Sequence, residues 1–319
     1  MKGHIVAALC WLVPAIAQAQ DFPTRPVTLV VPFSAGGVTD QVARLVASKV
    51  ADSVGQPLVT ENRPGAGGQV AASVVKQSPP DGYTLLVGDV ATHAINASLY
   101  SKLPYDPVKD FVPVTRMVEM AHVLVVPMES PFKTINDLIA GARAKAGSVT
   151  YASVGVGSGA HLLGEILKSE HGLDIVHVPY RGSSQIVPDL LANRVGFFFG
   201  AVGSMSPLIA QGKLRALLVT DRQRADLLPN VPSAVEAGMP DLDLRLWFGI
   251  LAPGGTAGAV VKRLNGEFVK ALRRADVSQR LREMGAKIVA GSPEEFSEAM
   301  TADTARLGAV VRKSGARLD

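Results

Sequence analysis

Apolar positions along this 319-residue chain switch repeatedly between a helical and a strand-like period. Val42, Val46, Val50 and Val54 recur every fourth residue, the spacing of one helix face, and predict an amphipathic helix over 39–54. Ahead of it, Val27-Thr28-Leu29-Val30-Val31 reads as a buried strand ending in the turn Pro32-Phe33-Ser34-Ala35-Gly36-Gly37. Short apolar or β-branched runs predict further strands at 57–60, 83–87, 122–127, 149–154, 175–178, 195–199 and 214–220. Helical stretches are expected between them, from Gly67-Gly68 to Gln77, then at 135–146, 160–170, 184–192 and 204–211. Thr134 and Asp137 form a capping-box pattern at the start of 135–146. In the tail, Thr256 is expected to cap one helix. Ser292-Pro293-Glu294-Glu295 opens a last one, with proline at its first position.

Strands alternating with helices imply parallel sheets, and the chain is too long for one small sheet. A first series closes after 83–88 and a turn-rich stretch at 101–113, and a second runs from 122–127 to Thr220. Two extended crossings are read between them, near 118–125 and near 243–252. The expected fold class is α/β: a two-lobe clamshell, each lobe a mainly parallel sheet flanked by helices, with two hinge crossings. Residues 20–121 and 246–319 would form the first lobe and 122–245 the second. Parallel sheets bind ligands beyond the carboxyl ends of their strands, so two facing lobes place two such edges across one cleft. Hinge closure around a ligand follows from that arrangement.

Residues 1–19 read as an export leader. Lys2 precedes an apolar run from Ile5 to Ile16, and Ala17-Gln18-Ala19 is an A-x-A cleavage site, so the exported chain is expected to start at Gln20. The run is shorter than the roughly 20 residues that a membrane span needs. A lipid anchor at Cys10 is the competing reading, but Ala7-Ala8-Leu9 puts the leucine in the wrong place for it. Cys10 is the only cysteine, so cleavage removes disulfides, thiol catalysis and cysteine metal sites together. Stability must then come from the core, for which about 300 residues are ample. The net charge is +4, or +3 without Lys2, spread along the chain with few aromatics. That distribution argues against nucleic-acid binding.

Several motifs together carry a family resemblance. They are Arg25-Pro26-Val27, the turn from Pro32 to Asp40, Glu61-Asn62-Arg63-Pro64-Gly65-Ala66-Gly67-Gly68 and Pro80-Asp81-Gly82-Tyr83-Thr84-Leu85-Leu86. Thr92-His93-Ala94-Ile95-Asn96, Tyr105-Asp106-Pro107, Val178-Pro179-Tyr180-Arg181-Gly182, Gly212-Lys213-Leu214-Arg215-Ala216-Leu217 and Trp247-Phe248-Gly249-Ile250-Leu251-Ala252-Pro253 follow in order. With these the chain resembles the Bug family, the extracytoplasmic solute receptors of the tripartite tricarboxylate transporter system, over essentially its whole mature length. The resemblance implies a periplasmic-binding-protein clamshell (type II-like, a Venus flytrap). It also implies a small carboxylate ligand and membrane permease subunits as partners. The same receptor serving a sensor kinase ectodomain, or an orphan scavenger, stays open.

The resemblance further implies a pincer, with one βα loop from each lobe gripping the ligand. The first jaw is then Phe33, Ser34, Ala35, Gly36 and Gly37, whose backbone N–H groups and Ser34 hydroxyl suit a carboxylate at a helix start. Read without the family, the same residues are an ordinary strand-to-helix turn. The second jaw is the stretch from Ser153 to His161, with Ser153, Gly157, Ser158, Gly159 and His161 as candidates. Gly88, Asp89 and Thr92 could close the side of the cleft, and Gly200 and Ala201 are further candidates, since the resemblance implies that position 200 faces the cleft in the family's amino-acid binders. His161 is either a ligand contact or a helix residue tied to its own turn. Arg181 either pairs with an anion or forms a surface ion pair. The Glu61-to-Gly68 motif is read as structural, with Arg63 clipping its loop to a carboxylate.

Where many relatives carry acids, this chain has Gly196 and Gly200, so no countercharge for a ligand ammonium is expected at 200. A simple carboxylate is therefore expected over an amino acid. Ser34-Ala35 also replaces a proline-containing pair common in the family. Enzyme readings fare poorly. Gly155-Val156-Gly157-Ser158-Gly159-Ala160 matches a dinucleotide fingerprint, but Pro179 stands where the ribose-binding acid belongs. Ser34 and Ser158 lie outside any G-x-S-x-G, which leaves a secreted hydrolase as a remote alternative. The sequence thus predicts a monomeric periplasmic binding protein with no catalytic residues, cofactor or metal.

Overall fold

The computed structural model describes residues 22–314; the leader and its cleavage site lie outside the described residues. The chain opens with β1 (Val27–Val31), α1 (Val38–Val54), β2 (Leu58–Asn62), α2 (Gln69–Lys76) and β3 (Thr84–Asp89). β1 lies between β2 and β3 and pairs with both in parallel. Its run of apolar residues is explained by burial on both faces. Val27, Leu29 and Val31 join Val42, Val46 and Val50 of α1 in one core cluster, while Val30 packs in the other with Leu86 and Ala72. One turn of π-helix (Ala91–Ile95) and the short α3 (Asn96–Leu99) follow β3.

β4 (Phe111–Pro127) is a single strand of 17 residues. From Phe111 to Ala121 it pairs antiparallel with β9 (Arg245–Pro253), and from His122 onward with β7 (Phe197–Ala201) and β8 (Leu214–Val219). The expected turn-rich stretch therefore ends at Asp110, and residues 111–121 are strand. Pro113, Arg116 and Glu119 hid it. The charges are accommodated because Arg116 pairs with Glu119 at 3.2 Å and with Asp303 at 3.6 Å, a residue far away in sequence.

Between its two passes the chain forms α4 (Ile135–Ala144), β5 (Val149–Ser153), α5 (Gly159–His171), β6 (Ile175–Pro179), α6 (Ser183–Leu191) and α7 (Val202–Ala210). The capping box expected at Thr134 and Asp137 is present in both directions. β6, β5 and β7 pair in parallel. The parallel βα units expected in each sheet are thus joined by the antiparallel strands β4 and β9, which make both sheets mixed.

The tail carries α8 (Gly258–Leu272), α9 (Ala275–Glu283), β10 (Ala286–Ile288) and α10 (Pro293–Ser314). Thr256 does not cap α8. The cap is Ala257, and the Thr256 hydroxyl donates instead to the Pro253 carbonyl at 2.7 Å, closing the turn after β9. α10 begins at Pro293 as expected, behind a capping box of Ser292 and Glu295. It reaches both β9 and α5. Trp247 Nε1 donates to Asp303 at 3.0 Å, and Lys313 pairs with Glu170 of α5 at 2.7 Å.

Candidate functional site

Four helices begin at one cavity, which encloses about 610 Å³ of atom-free space with the solvent at its mouth included. α1 contributes Gly37, Val38 and Thr39; α5 contributes Ser158, Gly159 and Ala160; α6 contributes Gly182 and Ser183; α7 contributes Ala201 and Ser204. Each follows the carboxyl end of a strand, so the arrangement repeats one local pattern four times. The N-caps of α1, α6 and α7 are Gly37, Gly182 and Ala201, none of which makes a side-chain cap. First-turn N–H groups of these helices are left for another acceptor. α5 differs, because Ser158 Oγ accepts from the His161 N–H.

Phe33, Phe198, Phe199, Leu246 and Phe248 make the rest of the lining largely apolar, Asp89 and His122 also line it, and among the described residues it includes no lysine or arginine. Positive potential comes from the helix starts alone, each equivalent to about half an elementary charge. Backbone dipoles held in an apolar surround bind a small anion without the entropy cost of ordering a long cationic side chain.

The first loop is held from behind. Gly36 N–H donates to Asp40 at 2.9 Å, Arg44 Nε to the same carboxylate at 2.9 Å, and Asn62 Nδ2 to both Asp40 and the Phe33 carbonyl. Burial pushes the Asp40 pKa up, but the hydrogen bonds from Arg44, Gly36 and Asn62 outweigh it and hold the group below its usual value. Gly36 sits at φ +78°, a left-handed conformation that favours glycine. The Glu61-to-Gly68 motif thus supports the jaw through Asn62, while Arg63 pairs with Glu61 inside the motif.

The structure gathers Phe33, Ser34, Gly37, Asp89, Ser158, Gly159 and Ala201 on the cavity and directs the other candidates elsewhere. Ala35 and Gly36 are exposed, and Gly88 is buried with its Cβ direction filled by Leu251. Thr92 is fully buried and bonded to Asp89 and His93. Ser153 Oγ lies 2.7 Å from His177 Nε2 and donates to the Gly155 carbonyl. Gly157 faces Asn96, and its N–H donates to His161 Nδ1 at 3.2 Å. His161 is therefore tied to its own turn; burial lowers its pKa to about 4, so the ring is neutral. The Arg181 guanidinium is exposed, and only its carbonyl faces the first loop, accepting from the Ser34 hydroxyl at 2.9 Å. Gly200 is turned away as well: a Cβ there would lie 2.5 Å from Met205 Cγ. The absent acid at 200 therefore says less about the ligand than the sequence suggested.

Sequence reasoning missed His122, Gly182, Ser183, Ser204, Leu246 and Phe248. Gly182 carried a usable signal, since it repeats the strand–glycine–helix order of the first jaw. Phe248 was visible in a family motif but without a direction.

A family model described as "Tripartite tricarboxylate transporter family receptor" matches residues 42–316. Protein BugT of Bordetella pertussis is 35% identical over 307 residues, 96% of this chain and 94% of BugT. The Rhodopseudomonas palustris protein Rpa4515, solved with adipate, superposes with a TM-score of 0.88 at 37% identity, covering 92% of this chain and 99% of that one. MatC of the same organism, solved with bound malate, gives 0.88 at 34% identity, covering 91% and 100%. These matches carry the two-lobe periplasmic-binding-protein fold over almost the whole chain. The chain belongs to the tripartite tricarboxylate transporter receptor family of periplasmic solute-binding proteins.

Proposed function

We propose that this protein captures a small carboxylate in the cavity between the two sheets and presents it to the permease subunits of a tripartite tricarboxylate transporter. One observation carries the reading: four helix N-termini meet at a single, largely apolar cavity with no lysine or arginine among its described lining residues. Such a site neutralises a compact anion by backbone dipoles. Adipate in Rpa4515 and malate in MatC support a carboxylate here. Lobe 1 comprises 20–121 and 246–319 and lobe 2 comprises 122–245; the change of β4 partners between Ala121 and His122 supports that division. Cleavage between Ala19 and Gln20 would release the receptor into the periplasm as a monomer.

A thermal-shift screen of the mature protein against mono- and dicarboxylates, aromatic acids and amino acids tests the reading. A ligand at 100 times its dissociation constant stabilises the folded state by roughly 2.7 kcal/mol, a shift of several degrees. A rise confined to carboxylates supports capture of an anion. A screen in which only neutral or cationic compounds raise the midpoint would sink it.

A further inference from the structure

We infer that the carboxylate held in this cavity also carries a hydrogen-bond donor, a hydroxyl or an ammonium, and that Asp89 receives it. The inference rests on the carboxylate reading above and narrows it. Asp89 ends β3, lines the cavity and is only 2% exposed. Its Oδ1 accepts from the Thr92 N–H at 3.0 Å and from the Thr92 hydroxyl at 2.9 Å, while the Asp89 N–H donates to Thr92 Oγ1 at 3.0 Å. That reciprocal pattern caps the helical turn that follows. A cap needs an oxygen acceptor but no charge, and asparagine or serine does the work as well. What aspartate adds is a carboxylate against a largely apolar cavity with no lysine or arginine among its described lining residues. Hydrogen bonds from Thr92 and the Ala91 backbone offset part of the cost of burying this charge, no countercharge faces it among the described residues, and a donor on the ligand would offset more. Burial lifts its pKa to about 6, which still leaves it mainly ionised at neutral pH.

A second acceptor stands on the other sheet. His122 lines the cavity with its Nδ1 3.4 Å from the Leu244 carbonyl, so Nδ1 carries the proton and Nε2 keeps a lone pair. Burial lowers its pKa to about 4 and the ring is neutral. The cavity therefore offers donors at four helix starts and acceptors at Asp89 and His122. A ligand with carboxylates alone satisfies the donors but sets like charge against Asp89. One that also bears a hydroxyl or ammonium satisfies both sets.

Isothermal titration of the mature protein with matched series tests this: succinate, malate and aspartate, then butyrate, 3-hydroxybutyrate and 3-aminobutyrate. In whichever series binds, the donor-bearing member should bind at least about tenfold more tightly than its donor-free partner, because an unmet buried acceptor is costly. Asp89→Asn and Asp89→Ser keep the cap, and thermal melts check that they fold. In both, the preference should shrink to less than about threefold and the donor-free member should bind more tightly, as the like charge is gone. The hydroxy and amino members show which donor is used. Equal affinity across a series in the native protein, or an undiminished preference in both variants, overturns the inference alone. Failure of every carboxylate to bind overturns the reading it rests on, and the inference with it.

Discussion

The Ser34 hydroxyl donates to the Arg181 carbonyl at 2.9 Å, joining the loop before α1 to the loop before α6 across 147 positions of sequence. The contact is tight on both sides, since a Cβ at Gly182 would lie 3.1 Å from Ser34 Cβ. Ser34, a candidate ligand contact from sequence, is thus engaged in holding two cavity walls together. Ser34→Ala removes one neutral hydrogen bond, worth about 1 kcal/mol net, so ligand dissociation should quicken by roughly fivefold. Stopped-flow dissociation kinetics check this, and an unchanged rate would show that the bond does not hold the loops closed.

Gly37 lies at φ −72° and ψ 166°, ordinary extended backbone that any residue adopts. A Cβ would sit 3.3 Å from the Ser34 carbonyl and 3.9 Å from Ser183 Oγ, at the start of α1. Gly37→Val should fold with a melting temperature close to that of the native protein, yet show no thermal shift with the ligand that stabilises the native chain. Normal affinity in the folded variant would move the anion site away from α1.

Gly203 of α7 packs against backbone: a Cβ would overlap the carbonyl of Met284, at the end of α9. No rotamer change relieves a clash with main chain. Gly203→Ala should therefore lower stability by about 3 kcal/mol, at the upper end of overpacking costs. Urea denaturation gives the number. A loss below about 1 kcal/mol would mean that the two segments separate easily.

Stability should fall in mild acid. Burial lowers the pKa of His93 to about 3 and those of His122, His161 and His177 to about 4, from an ordinary 6.5. The unfolded chain therefore binds more protons than the folded one between pH 6.5 and 4, and stability drops as pH falls through that window. Asp89 acts in reverse. Its pKa is raised from 3.8 to about 6, so the folded state gains between pH 6 and 3.8. Four histidines oppose one aspartate with shifts of similar size, and the net slope is a loss. Urea midpoints measured from pH 7.5 to 4.5 should decline, and more steeply in Asp89→Asn. A flat profile would contradict the burial of these rings.

Much of the architecture was legible because its signals are local. The valines of α1 at every fourth position, the capping boxes at Thr134 and Ser292, and the strand–glycine–helix order at 31–38 each depend on a few neighbouring residues. β4 was legible only in its second half. Leu124, Val125 and Val126 announce a buried strand, whereas Arg116 and Glu119 read as surface until Asp303 and Arg245 are brought beside them.

The candidate site divides in the same way. That glycine-rich loops at Phe33–Gly37 and Ser158–Gly159 open helices is written in the chain, because glycine backbone freedom and helix-cap preference operate over a single turn. Which atoms of those loops face the cavity is not. Ser153 is taken by His177, His161 by the Gly157 N–H, and Gly200 by Met205, each through a partner placed by packing. The sequence by itself determined the alternation of strands and helices, the family, and the presence of anion-suited helix starts. Only the tertiary structure decided that four such starts meet at one cavity with Asp89 and His122 beside them. Convergence of segments far apart in the chain is set by sheet register and core packing, which no local pattern encodes.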